Sequence, residues 1–330
     1  TQYVLKQFGV NAPQYVMDVK SRVKDIEIRK VDGVDRNISI KAAWKLMRDI
    51  GVVTLPITRD NKLEGLITIA DIATSYMDVH DSTTLSTART VCKNIVETLD
   101  GALIIGDEEH VFDRGKVLVA AANPDLMESY IRMGDIVILG NRYESQLCAI
   151  EMQAGCIVVC EGAPVSMTIK KLAVENHCTI ISTPHDTFTA SRLINQSVPI
   201  SFFMRTEGLI TFSTEAYTDE VRQVMAKKRH RDFPIHDEQG NYIGMISRRN
   251  LLGAGKKKLI LVDHNERGQA VNGVETAEIL EIIDHHRLGA IQTVSPVFFR
   301  NQPLGSTATI IYHMYQENQA EIDKNTAALL

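Results

Sequence analysis

Apolar positions along this chain change period several times, and each change marks an element. "IKAAWKLMRDIGV" at 40–52 and "TDEVRQVMAKKRH" at 218–230 space apolar residues three and four apart, the pattern of a helix with one buried face. Each runs into a short strand-like pair, "TLPITRDNKLEGLITIADIA" at 54–73 and "DFPIHDEQGNYIGMISRRNLL" at 232–252. Both contain Pro-Ile, a polar turn, Gly-apolar-Ile-Thr/Ser and then polar residues that open a helix. Asp-Asn and Gln-Gly-Asn at the turns are hairpin signals. Met47 and Met225 stand nine residues ahead of Pro56 and Pro234. The two stretches are therefore copies of one unit, helix–strand–turn–strand–helix, with one extra turn residue in the second. A copy of about 60 residues would be marginal alone, so the copies are expected to pack together.

Between the copies, "GDIVILGN", "GCIVVCEG" and "CTIISTPHD" are strand-like apolar runs separated by "ESQLCAIEMQ" and "SMTIKKLAVENH", which have helical spacing. This alternation predicts βαβ units, a parallel sheet and helices on both faces. From residue 257, "KKLILVDHNE", "ETAEILEIIDHH" and "GSTATIIYHMYQ" read as strand, helix, strand and a Gly-led helix. The fold class is α/β throughout.

Composition changes this picture little. A net charge of −5, from 36 basic and 41 acidic residues, gives no electrostatic reason to expect nucleic acid or an anionic membrane. No apolar run approaches the roughly 20 residues that span a bilayer. The five cysteines, Cys92, Cys148, Cys156, Cys160 and Cys178, sit mostly in apolar stretches, which suits buried thiols in a reducing cytoplasm. No partner pair at zinc-site spacing accompanies Cys156 and Cys160. A chain opening on Thr1 reads as a fragment or a processed form.

The chemistry lies in two strand ends, "LVDHNE" at 261–266 and "IIDHHR" at 282–287. Asp and His at the carboxyl edge of an α/β sheet stand where such sheets bind ligands. Carboxylate with imidazole suits manganese, cobalt, iron or zinc, whereas carboxylate alone favours magnesium. A lone Asp-His is usually a capping Asp beside a surface His; two such ends, one carrying Asp-His-His, point to a metallophosphoesterase. Gly305, Ser306 and Thr307 open a helix, either as a plain N-cap or as a phosphate contact on exposed N–H groups.

Three resemblances extend this reading. The repeats resemble cystathionine-beta-synthase (CBS) domains, which pair into a Bateman module, and the segment between them resembles the DRTGG domain, with "GNRYESQ" the nearest match to its motif. "LVDHNE", "IIDHHR" and "PLGSTATI" resemble the DHH phosphoesterases, specifically the CBS-containing family II inorganic pyrophosphatases. The implied layout is a DHH remnant at 1–12, CBS domain 1 at 13–81, a DRTGG-like domain at 82–195, CBS domain 2 at 196–256 and a partial DHH domain at 257–330.

By this resemblance Asp263 bridges two ions, manganese or cobalt with magnesium as an additional one, and His285 ligates one of them. His286 faces the substrate phosphate as the catalytic residue, and Asp284 and His264 orient the neighbouring ligands. Thr68, Asp71, Ser247, Arg248, Arg249 and Asn250 would contact AMP, ADP, ATP or a dinucleoside polyphosphate. The plain alternatives are a helix-start Asp at 71 and a solvated helix start at Arg248–Arg249. No His-x-x-x-Asp-x-Asp cluster occurs in the chain, and the family's later Asp would fall beyond Leu330. The chain is thus expected to be the regulatory insert with part of the catalytic domain, inactive alone, cytoplasmic, and dimeric through its CBS and DRTGG domains. The alternatives are a nucleotide-sensing protein with a non-catalytic DHH remnant, or a DHH phosphoesterase of oligonucleotides or cyclic dinucleotides.

Overall fold

The computed structural model describes residues 2–77, 81–253, 255–293 and 295–330. The chain divides into two units: Lys30–Ile210 with Gly240–Gly244, and Thr1–Arg29 with Thr211–Gln239 and Met245–Leu330.

In the first unit, helix Ile40–Ile50 begins where the Ser39 hydroxyl accepts the Ala42 N–H at 3.1 Å. It ends at Gly51, whose φ of 68° is a left-handed cap open to glycine at no steric cost. Ile40, Ala43 and Met47 form its buried stripe. Strands Thr54–Arg59 and Lys62–Thr68 pair antiparallel, and helix Ile69–Met77 follows. Asp60 and Asn61 take φ of 50° and 62°, as a two-residue hairpin turn of primed type demands. Helix, strand, turn, strand and helix stand in the expected order.

The remainder of this unit is built on a five-stranded sheet. Val117–Val119, Ile136–Leu139, Cys156–Val159 and Thr179–Ser182 lie parallel in that spatial order. Helices Tyr143–Glu151 and Met167–Glu175 make the crossovers. Ala102–Ile105 adds an antiparallel edge beside Thr179–Ser182, which the periodicity did not announce because "ALII" carries no alternation; its register is irregular between Leu103 and Ile105. Val137, Ile157 and Ile180 are fully buried, and each such side chain stabilises by roughly 1.5–3 kcal/mol.

All five cysteines are free and buried. Burial pushes the Cys92 and Cys178 thiols up to about 12 and Cys160 to about 11, and it raises wholly buried Cys156 well above the ordinary thiol value. These four thiols are therefore expected to resist iodoacetamide at pH 8 and to react only in urea. Rapid labelling of the native protein would contradict that burial.

The repeat recurs, mostly within the second unit, as helix Thr218–Lys227, strands Asp232–His236 and Tyr242–Ser247, and helix Arg248–Leu252. Beyond it, Lys258–Val262, Glu278–Asp284 and Phe298–Asn301 form a parallel three-stranded sheet. The helix expected between the first two strands is absent. Single 3-10 turns at Arg267–Gln269 and Val274–Thr276 make the crossover, and the stretch read as helical joins strand Glu278–Asp284. The β-branched, alternating residues of "EILEIID" favour an extended chain there. The third strand was also unforeseen. Helix Thr307–Glu317 follows as expected, and helix Gln2–Gln7 lies beside Lys324–Leu329.

The segment after Gln2–Gln7 is tied into this unit. Val19 N–H donates to the Asn272 carbonyl at 2.9 Å, Lys24 pairs with Glu215 at 2.8 Å, and Asp25 pairs with Lys257 at 3.1 Å. Lys257 belongs to the joint 252–258, of which Ala254 lies outside the described residues.

Candidate metal centre

Parallel register brings both Asp-His motifs to one sheet edge. Val262 lies opposite Ile283, and Asp284 opposite Asn301, so Asp263 and His285 each leave their strand at its carboxyl end. The Asp263 N–H extends the ladder to the Ile283 carbonyl at 2.9 Å. Asp263 then takes φ of 67°, a left-handed conformation that Asp tolerates better than most non-glycine residues.

Asp263, His285 and His286 each offer a ligand atom, and these atoms lie within 4.8 Å of one another. His285 Nε2 stands 3.6 Å from Asp263 Oδ1. The His285 Nδ1 is 2.9 Å from the Leu304 carbonyl, which only accepts, so Nδ1 carries the proton and Nε2 presents a lone pair. His286 Nδ1 is 2.8 Å from Asp284 Oδ1, which orients that ring in the same sense. Two imidazole nitrogens set as acceptors beside one carboxylate fit a first-row divalent ion, with the outward ring nitrogens anchored as in other histidine sites. His286 lies in this cluster with the two candidate ligands.

Asp284 is the anchor. Its side chain is 0% exposed, and it accepts from the His285 N–H at 2.7 Å, the His286 N–H at 3.2 Å, His286 Nδ1 and Asn265 Nδ2. Burial pushes its carboxyl up, but the bonds from His286, Asn265 and His285 outweigh this and hold it below the usual carboxylate range. Asn265 also donates to the Arg287 carbonyl at 3.0 Å and accepts the Gly289 N–H. His264 turns back onto the Val262 carbonyl at 3.0 Å, so the orienting bonds expected of it are made by Asn265. The sequence reading missed Asn265; its place two residues after Asp263 was the available signal. Gly305 is exposed, and the Ser306 hydroxyl caps helix Thr307–Glu317 by accepting the Thr309 N–H. Thr307 Oγ donates to Asp263 Oδ1 at 2.6 Å.

Family models match the DRTGG domain at residues 94–197 and the CBS domain at 23–78 and 201–257. The cobalt-dependent inorganic pyrophosphatase of Clostridium perfringens is 43% identical over 332 residues, covering 100% of this chain and 60% of the relative. A probable manganese-dependent inorganic pyrophosphatase of Thermotoga maritima is 33% identical over 328 residues, again at 99% of this chain and 60% of the relative. The chain belongs to the CBS- and DRTGG-containing family II inorganic pyrophosphatases. It spans about 60% of the length of these curated relatives.

Among solved structures, the CBS and DRTGG domains of the regulatory region of Clostridium perfringens pyrophosphatase, complexed with the activator diadenosine tetraphosphate, match with a TM-score of 0.67 at 37% identity. The match covers 69% of this chain and 100% of that one.

In this chain the two CBS copies repeat one helix-start geometry. The Thr68 N–H and hydroxyl both reach Asp71 Oδ2, at 2.9 and 2.6 Å. The Ser247 N–H and hydroxyl reach Asn250 Oδ1 at 2.9 and 2.8 Å, and Asn250 Nδ2 donates to the Glu27 carbonyl at 3.0 Å. Asp71 Oδ1 additionally accepts Arg205 Nε at 3.0 Å and Nη2 at 2.7 Å, across 134 residues. A hollow of about 500 Å³ beside this pair is lined by Asp71, Thr74, Thr84, Phe202 and Arg205. Arg205 was not foreseen, since nothing local in "FFMRTEG" marks it. Arg248 bonds the His230 carbonyl at 3.1 Å and the carbonyls of Met225 and Lys228, closing helix Thr218–Lys227, while Arg249 is exposed.

Proposed function

We propose that this chain is the nucleotide-controlled portion of an inorganic pyrophosphatase, in which diphosphate and water yield two phosphates. The observation that carries the reading is the Asp263–His285–His286 cluster, with both imidazoles oriented through Nδ1. Manganese or cobalt bound there would polarise a phosphoryl oxygen and acidify water. The chain's own residues would supply the rest. Asp263 and His285 offer donor atoms, His286 meets the substrate phosphate, and Asp284 with Asn265 holds the motif rigid. Three donors fill half of an octahedral shell, so the remaining ligands and the activity belong to the full-length protein.

Control would come through the repeats, with Thr68, Asp71, Ser247 and Asn250 as contacts for AMP, ADP, ATP or a dinucleoside polyphosphate. Arg249 is the better placed of the two arginines for phosphate, because Arg248 is committed to carbonyls. A nucleotide that binds two conformations unequally shifts their populations. The pairing of Asp25 with Lys257, at the root of the strand bearing Asp263, supports a mechanical link. A displacement of about 1 Å at a catalytic group costs on the order of a hundredfold in rate.

The working state is proposed as a cytoplasmic dimer joined through the CBS and DRTGG domains. The free buried thiols support the compartment. No described helix is long and apolar enough to cross a membrane.

The test is phosphate release from pyrophosphate by the full-length protein with Mn2+ or Co2+, with and without AMP, ATP or diadenosine tetraphosphate. Hydrolysis that nucleotides change severalfold is expected. Nucleotide binding without hydrolysis would favour the sensor, and identical rates at saturating nucleotide would remove the regulatory half of the proposal.

A further inference from the structure

We infer that Thr307 is a positioning residue for Asp263 and that its hydroxyl does not bind phosphate, an inference that rests on the metal-centre reading above. Its hydroxyl donates to Asp263 Oδ1 at 2.6 Å, joining residues 44 apart in the chain. A threonine hydroxyl has one hydrogen to donate. Committed to Asp263, it leaves only oxygen lone pairs for a phosphate, and these repel the anion's own oxygens.

The helix start does not need this hydroxyl either. Ser306 supplies the cap through the Thr309 N–H, and its Oγ also lies 3.2 Å from Thr309 Oγ1. Thr307 is 4% exposed and β-branched, so its χ1 is narrowly set.

Asp263 is the residue that needs such a tether. Its side chain is 62% exposed, at the end of a strand and in a left-handed backbone conformation. An exposed carboxylate there would sample several rotamers. One bond to Oδ1 selects the rotamer facing His285 Nε2 and occupies only one of about four lone-pair directions, leaving the others for a cation. Thr307 thus joins the helix to the first motif, as Asn265 joins the first motif to the second.

The experiment compares wild type, Thr307→Val and Thr307→Ser in the full-length protein. Mn2+ affinity is read by titration without substrate, and kcat and KM are read with pyrophosphate. Thr307→Val keeps the shape and removes the hydroxyl. It is expected to weaken Mn2+ binding by about tenfold and to lower kcat, with KM little changed. Thr307→Ser restores the hydroxyl and should stay within about twofold of wild type, a comparison that holds even where the valine variant folds poorly.

A valine variant with normal Mn2+ affinity and raised KM would return Thr307 to phosphate binding. Equal losses in Ser and Val, or no effect in either, would also overturn the positioning role. A wild type that neither binds Mn2+ nor hydrolyses pyrophosphate overturns the underlying reading, and this inference with it.

Discussion

Replacing His285 by alanine in the full-length protein is expected to reduce Mn2+-dependent pyrophosphate hydrolysis by more than about a hundredfold. Partners that merely orient a ligand typically cost 10–100-fold when removed, and His285 is read as a ligand. The loss should appear in Mn2+ affinity measured without substrate as well as in kcat. Stability should change little, because the ring's one described hydrogen bond is to the Leu304 carbonyl at a partly exposed site. His286→Ala provides the contrast: if His286 meets phosphate, KM rises while Mn2+ affinity falls less. Wild-type metal binding in His285→Ala would remove His285 from the centre.

Asp284→Ala acts on a different quantity. It removes the acceptor of four hydrogen bonds from a side chain with no solvent exposure, leaving the His286 ring and two backbone N–H groups unpaired and the Asn265 amide with only its bond to the Arg287 carbonyl as donor. Each buried donor left without its acceptor costs about 1–3 kcal/mol, which over this set sums to about 3–5 kcal/mol. Urea unfolding followed in EDTA, so that no metal contributes, should show a loss of that size. Asp284→Asn keeps one acceptor oxygen and should lose less. A loss below about 1 kcal/mol in the alanine variant would mean that the loop finds other partners or that Asp284 does not anchor it.

The two variants separate what each motif does. His285 offers a ring nitrogen outward, whereas Asp284 spends every described bond inward. Adjacent residues in one "DHH" string thus carry opposite duties, because the strand ends at Asp284 and the chain turns there. The string by itself assigned the roles only by resemblance.

Much of the fold was legible. The repeated helix–hairpin–helix units, the parallel strands at 136–139, 156–159 and 179–182, and the helices between them follow from local period and turn chemistry. Errors arose where an apolar stretch was short and both periods fitted it, as at 275–284, or where a strand carried no alternation, as at 102–105. Asp60–Asn61 needed no tertiary information, because the primed turn is a property of those two residues.

The site was legible as residues and illegible as bonds. Asp263, His285 and His286 could be named because strand ends in an α/β sheet collect at one edge, so local pattern alone places them near each other. What only the tertiary structure decided is which polar atom faces which. Asn265 replaces His264 as the clamp, Thr307 turns to Asp263, Arg205 reaches Asp71, and Arg248 is consumed by helix carbonyls. A hydrogen bond forms only within about 3 Å and a narrow angle. Partners 19, 44 or 134 residues apart meet that condition only after the intervening chain has packed.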